Sequence, residues 1–346
     1  SSGDDAMADV VRRLILDESG LLLQDAEAAS RILKDFAVFV ENCRSVKRER
    51  ISKWSGIYEA TVVPGFSLCD LIYSETDIVD NEVRHLLREV IDRCSNWDDE
   101  PGAENVDPNV EVAGQCLTAY TLAFIHHERL QGRLAAAVVL RRTPVEPIRI
   151  AVRATDVTLW VHRVFDERSL REFYRAMFEL AEVEAGDDFM SLCPFAFPDL
   201  YFHPELAQQL RCFETKFRDL RPDLVYHLAV LNDRFKEIHA DCQGMPDEVS
   251  KRIGAERVDI CEEVSSRMSS VRVDMSGESP KTRRNQKAMK ERNVTVLDEN
   301  GARHQLSCEL HTKLRPSCDR VHFHAGRQGL LDGRVIVGIF AAHLTI

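Results

Sequence analysis

The run Val335-Ile336-Val337-Gly338-Ile339-Phe340 has no polar side chain, so a strand there is apolar on both faces. Such a strand needs cover on each side, which calls for a central place in a sheet. Strand-like alternation precedes it at residues 294–297, 305–314 and 320–324, and the last strand is expected over 334–343. The turn Asp298-Glu299-Asn300-Gly301 suits a hairpin, because asparagine and glycine tolerate positive φ.

Upstream the apolar period is helical. Residues 25–44 carry Ala29, Ile32, Leu33, Phe36, Val40 and Cys43 on one face. Residues 81–94 do the same with Val83, Leu86, Leu87, Val90 and Ile91. The acidic stretch 97–108 reads as a loop and marks a first boundary. A helix over 116–130 is followed by strand-like runs at 134–140, 148–154 and 158–164, whose short spacing favours antiparallel pairing. Helices are expected again at 169–180 and 222–239, and between them Phe195-Ala196-Phe197-Pro198-Asp199-Leu200-Tyr201-Phe202 reads as a core plug. The expected class is α+β: a helical N-terminal part (7–108), a mixed α/β middle part (109–275) and a small basic antiparallel-sheet module (276–346). The run Ser276-Gly277-Glu278-Ser279-Pro280 is expected to be the linker that opens the module.

An apolar share of 44% and a charged share of 29% belong to an ordinary globular chain, with no run long enough to cross a bilayer. No membrane partner is expected, and with no basic-then-apolar leader a cytoplasmic location is expected. Ser1–Ala6 reads as an expression remnant ahead of a start at Met7. None of the ten cysteines forms a CxxC pair, so reduced thiols are expected rather than a disulfide framework. There is no Walker loop, GxGxxG after a strand, HExxH or GxSxG, which argues against nucleotide motors, dinucleotide enzymes, zincins and α/β hydrolases.

The net charge of −12 hides an asymmetry. From Lys281 onward there are 12 Lys plus Arg against 6 Asp plus Glu, a balance of +6, which leaves −18 for the rest. A basic end fits a polyanion, whose counterions lysine and arginine release. It also fits docking on the acidic body of the same chain. A helix over 281–292 would place Arg283, Lys287 and Lys290 on one face. With Arg284 and Arg292 they form the candidate nucleic-acid-binding set.

Along the strands, Glu309, His311 and Lys313 point one way while Cys308, Leu310, Thr312 and Leu314 point the other. Arg320, His322 and His324 likewise face away from Val321 and Phe323. If the two strands form a hairpin around Pro316-Ser317-Cys318, one face collects Glu309, His311, Lys313, Arg320, His322 and His324. These are the candidate catalytic residues. Imidazoles and an acid can move protons near neutral pH, and fixed cations stabilise charge developing on phosphate.

The basic segment Lys281–Arg292, the strand Cys308-Glu309-Leu310-His311-Thr312-Lys313, the strand Arg320-Val321-His322-Phe323 and the final apolar strand together resemble the RelE-like family of bacterial toxins. The resemblance covers about the last 65 residues. It implies a small basic ribonuclease, with helices before a short antiparallel sheet, that cuts messenger RNA on the ribosome. That family often ends in Phe followed by paired lysines, whereas Phe340 here precedes Ala341-Ala342-His343.

Other readings stay open. His322-x-His324 fits a metal pair that His311 or Glu309 would complete, although no cofactor or metal is called for. Leu14-Ile15-Leu16-Asp17 is a strand ending in an acid, as the metal-binding PIN-type nucleases begin, and Asp70, Asp98 and Asp99 would supply further carboxylates for Mg²⁺. His126-His127 reads as favouring a helix C-terminal dipole. The expected function is an RNA-directed toxin or antiviral defence effector, with RNA favoured over DNA and a metal-independent ribonuclease as candidate activity. The alternative is a non-enzymatic subunit that docks on a protein partner or the ribosome.

Overall fold

The computed structural model describes residues 12–74, 76–142, 147–180, 186–256 and 272–345. The expected start at Met7 and Cys261 lie outside them. The fold is α+β, in two compact units that divide between Phe173 and Tyr174.

The first unit is built on an eight-stranded sheet. Five short strands run parallel in the order Ser95–Asn96, Ile51–Lys53, Arg12–Leu16, Leu134–Val138 and Val157–Val164. Arg149–Ala154, Asn109–Val112 and Gln115–Thr118 extend it antiparallel. The expected helices lie between these strands, as Ala29–Ser45, Asn81–Asp92 and Tyr120–Leu130. In the first two helices the buried side chains include Leu33, Phe36, Val40, Val83, Leu87 and Val90 from the two apolar stripes. Antiparallel pairing holds for 149–154 with 157–164, but Leu134–Val138 lies parallel to Val157–Val164 and to Arg12–Leu16. Leu-Ala-Ala-Ala-Val is buried at every position, which is the signature of a parallel strand covered on both faces.

A boundary after residue 108 is corrected by this sheet. Strands on both sides of it pair with one another, so 12–16 and 134–138 share one ladder. Residues 115–118 form a strand, not the first helical turn. His126 is also corrected. It is buried before the last turn, with Nε2 2.9 Å from the Val157 carbonyl, and burial lowers its pKa; His127 does lie in the last turn, as expected.

The second unit holds a five-stranded sheet in the order Leu200–Phe202, Val335–Ala341, Arg320–His324, Leu310–Lys313 and Asp274–Gly277. Val335–Ala341 is buried at all seven positions and has a neighbour on each side, as its two apolar faces require. One face is covered by the hairpin Asn293–Leu297/Arg303–Ser307, whose Val294, Val296 and Leu306 pack with Ile336 and Ile339. Gly338 permits that approach: a Cβ there would lie 2.4 Å from Cys308 Sγ and 3.1 Å from Val294 Cγ1. On the other side Phe235, from the helical stretch Phe217–Asp241, meets Phe323 edge-on at 5.1 Å.

The separate module beginning at 276 is also corrected, because its sheet takes a strand from Leu200–Phe202. The expected linker is an edge strand: Ser276 and Gly277 pair with His311 and Leu310. No helix among the described residues is long and apolar enough to cross a membrane.

Candidate functional site

The hairpin expected around Pro316-Ser317-Cys318 forms, in the register that groups the candidate catalytic residues. His311 lies opposite His322, and Lys313 lies opposite Arg320. Glu309 and His324 lie near each other at the other end, close enough for the carboxylate to raise the imidazole's pKa. The hairpin tip is anchored by Asp319. This fully buried residue holds φ +55° and accepts from the Glu214 and Thr215 N–H groups at 2.7 and 3.1 Å.

The face is not an open surface, however. His322 is 0% and His311 5% exposed, and Arg292 and Glu278 are buried with them. Glu278 Oε1 lies 2.6 Å from Arg292 Nε, 3.5 Å from His311 Nδ1 and 3.8 Å from His322 Nδ1. The two imidazoles stand 5.0 Å apart at 39°. His311 Nε2 is 3.0 Å from Ser276 Oγ. Arg292 Nη1 donates to the Ala288 and Thr345 carbonyls at 2.6 and 3.1 Å. Burial drives the Glu278 pKa up, but His311 and Arg292 outweigh it and hold the carboxyl at about 2. Burial, followed by the charge of His311, lowers His322 to about 3, so its imidazole is neutral near pH 7. His324 is half-buried and its pKa is lowered, chiefly by burial.

The single basic helix over 281–292 is corrected. Pro280–Arg284 and Gln286–Lys290 are separate short helices, and Asn285 breaks them at ψ 100°. Its side chain accepts from the Lys287 and Ala288 N–H groups at 3.1 and 3.3 Å, the local bonding that makes asparagine a cap rather than an interior residue. Arg283, Lys287 and Lys290 therefore share no continuous helical face, and Arg283 pairs with Glu309 at 3.2 Å. Arg292 is buried against Glu278, so it is withdrawn from the nucleic-acid-binding set.

Part of the basic excess is neutralised by acids earlier in the chain. Arg292, Lys313 and Arg315 pair with Glu278, Asp274 and Asp223, acids that precede Lys281. Lys281, Arg284, Lys287 and Lys290 are exposed, and none has an ion pair within 4 Å among the described residues.

Glu278 and the inward turn of Arg292 were missed in the sequence. The available signal was Ser279-Pro280, a cap followed by a helix-starting proline, which places Glu278 at the mouth of a helix rather than in a free linker. Asp17 occupies a position that sequence reasoning singled out. It follows the central parallel strand of the first unit, at the point where strand order reverses, and its N–H donates to the Val138 carbonyl at 3.0 Å. Yet Asp70 caps a helix through Ser67, and Asp98 accepts from the Ser55 N–H at 2.9 Å. Among the described residues, only Glu278, His311 and His322 form a group of three ligand-type side chains at ligand spacing, and Asp17 is not in it. Comparison with protein-family models, with curated proteins and with solved structures finds no match.

Proposed function

We propose that this chain is an RNA-directed protein that holds the phosphate backbone on its C-terminal unit, in a toxin or defence role. The carrying observation is the set of four exposed cations, Lys281, Arg284, Lys287 and Lys290, without ion pairs among the described residues, while the neighbouring Arg283 and Arg292 are neutralised internally. Phosphate contacts of this kind supply affinity without reading sequence. In a ribonucleolytic reaction His324 is the imidazole to act as base, being half-buried rather than enclosed and close to Glu309. Arg320 would stabilise charge on phosphate, whereas Lys313 is paired with Asp274. The enclosed His311 and His322 organise the sheet beneath.

The burial of His311 and His322 favours a second reading, in which the same surface docks RNA or a ribonucleoprotein without cleaving it. Cleavage and binding of labelled single-stranded RNA by the purified chain separate the two. Cleavage lowered about 10²-fold or more by His324→Ala with binding intact supports the ribonuclease. Binding without cleavage supports the docking subunit. Binding that survives Lys281→Gln/Arg284→Gln/Lys287→Gln/Lys290→Gln undiminished removes the surface from either.

A further inference from the structure

We propose that Glu278, His311 and His322 form a binding site for a divalent transition-metal ion of the zinc type, an inference that goes beyond RNA docking and does not depend on it. Glu278 Oε1 is 3.5 Å from His311 Nδ1 and 3.8 Å from His322 Nδ1, and the three groups offer ligand atoms all within 4.8 Å of one another. As hydrogen bonds these contacts are too long, since N–H···O pairs lie at about 2.7–3.2 Å. As ligand spacings they are near what is needed: atoms about 2.0–2.1 Å from a tetrahedral ion stand roughly 3.3 Å apart. A shift of a few tenths of an ångström brings each imidazole to that spacing from the carboxylate, and the two imidazoles must also close on each other from within 4.8 Å.

The second observation is independent. His322 is completely buried, and neither of its ring nitrogens has a hydrogen-bond partner among the described residues. His311 Nδ1 also lacks one, and Glu278 Oε1 has the Arg292 ion pair as its one close partner among the described residues. Several polar atoms enclosed together without hydrogen bonds carry a cost that an ion between them removes.

The surroundings also fit. Ser276 Oγ lies 3.0 Å from His311 Nε2, so an Nε2–H donated to it leaves the Nδ1 lone pair facing the centre. Arg292 Nε lies 2.6 Å from the same Oε1 and orients the carboxylate, as ligating carboxylates are commonly held by a hydrogen-bonding neighbour. Two imidazoles and one carboxylate suit Zn²⁺ or Co²⁺ rather than Mg²⁺ or Ca²⁺. Three protein ligands leave one position for a solvent oxygen. The partner expected for His322 from sequence, His324, is not in this set.

The test is metal analysis of the full-length protein. Purified wild type should carry one Zn²⁺ per chain by elemental analysis. Chelated protein should bind Co²⁺ with visible absorption, and should regain its lost thermal stability with Zn²⁺ but not Mg²⁺. His322→Ala and Glu278→Gln should lose the ion, Ser276→Ala should bind it 10- to 100-fold more weakly, and His324→Ala should keep it. The wild-type Co²⁺ titration decides the matter even where a variant fails to fold. Wild type that binds neither ion overturns the site. So does His322→Ala that binds as tightly as wild type, and so does loss of the ion in His324→Ala, which would place the ligands on the His322/His324 pair.

Discussion

The two units each bury a carboxyl group at a structurally central point, and they treat it in opposite ways. Asp17, at the end of the central parallel strand, is 1% exposed and accepts from the Ser19 N–H and hydroxyl at 3.0 and 2.7 Å. Burial raises its pKa to about 7, Glu18 adds to the rise, and the bonds from Ser19 and the charge of Arg163 only partly oppose it. Glu278 is buried too, but His311 and Arg292 hold it ionised, with a pKa of about 2. Burial alone does not decide whether an acid is charged. Cations placed against it do, and in the second unit that placement turns Arg292 inward while Lys281, Arg284, Lys287 and Lys290 stay outward.

The largest effect comes from breaking the ionised case. Glu278→Gln leaves Arg292 buried without its counter-charge and should cost roughly 3–5 kcal/mol of stability, measured by denaturant unfolding. A cost under about 1 kcal/mol would show that the pair is not what holds this segment.

Next comes the sign of the pH dependence at Asp17. Its folded pKa lies above the unfolded value of 3.8, so folding binds a proton between about pH 4 and pH 7. The stability gained from the protonated form is present below pH 4 and is lost as pH rises through 7. Asp17→Asn removes that dependence. Its unfolding free energy relative to wild type should therefore improve by roughly 2 kcal/mol from pH 5 to pH 7.5. A constant difference would mean that Asp17 is ionised throughout.

A smaller test sharpens the same point. Ser19→Ala removes a donor to the carboxylate form, so it should cost about 1 kcal/mol above pH 7 and less at pH 5. Equal costs at both pH values would make the serine an ordinary turn residue.

Much of this was legible in the sequence where periodicity and burial agree. The apolar stripes of Ala29–Ser45 and Asn81–Asp92, the doubly apolar Val335–Ala341 and the grouping of His311 with His322 all follow from which side chains must share a face. Long-range pairing did not. The unbroken apolar run Leu134–Val138 marks a strand covered on both faces, but nothing local in it names Arg12–Leu16 as the partner. The cover over the histidine face was hidden for a related reason. It depends on Ser276-Gly277 joining an edge and on Asn285 breaking a helix, so that Arg292 reaches back to Glu278. Strand alternation shows which side a residue faces, and it is silent on what lies above it.

The central claim is that the cations left outward hold an RNA backbone, and the salt dependence of RNA affinity tests it most directly. Four engaged cations predict that log K falls against log salt concentration with a slope of roughly −3, at about 0.7 per neutralised phosphate for a single strand. Changing Lys281, Arg284, Lys287 and Lys290 to glutamine should remove most of that slope. An affinity insensitive to salt, or a slope unchanged in the fourfold variant, would contradict the account.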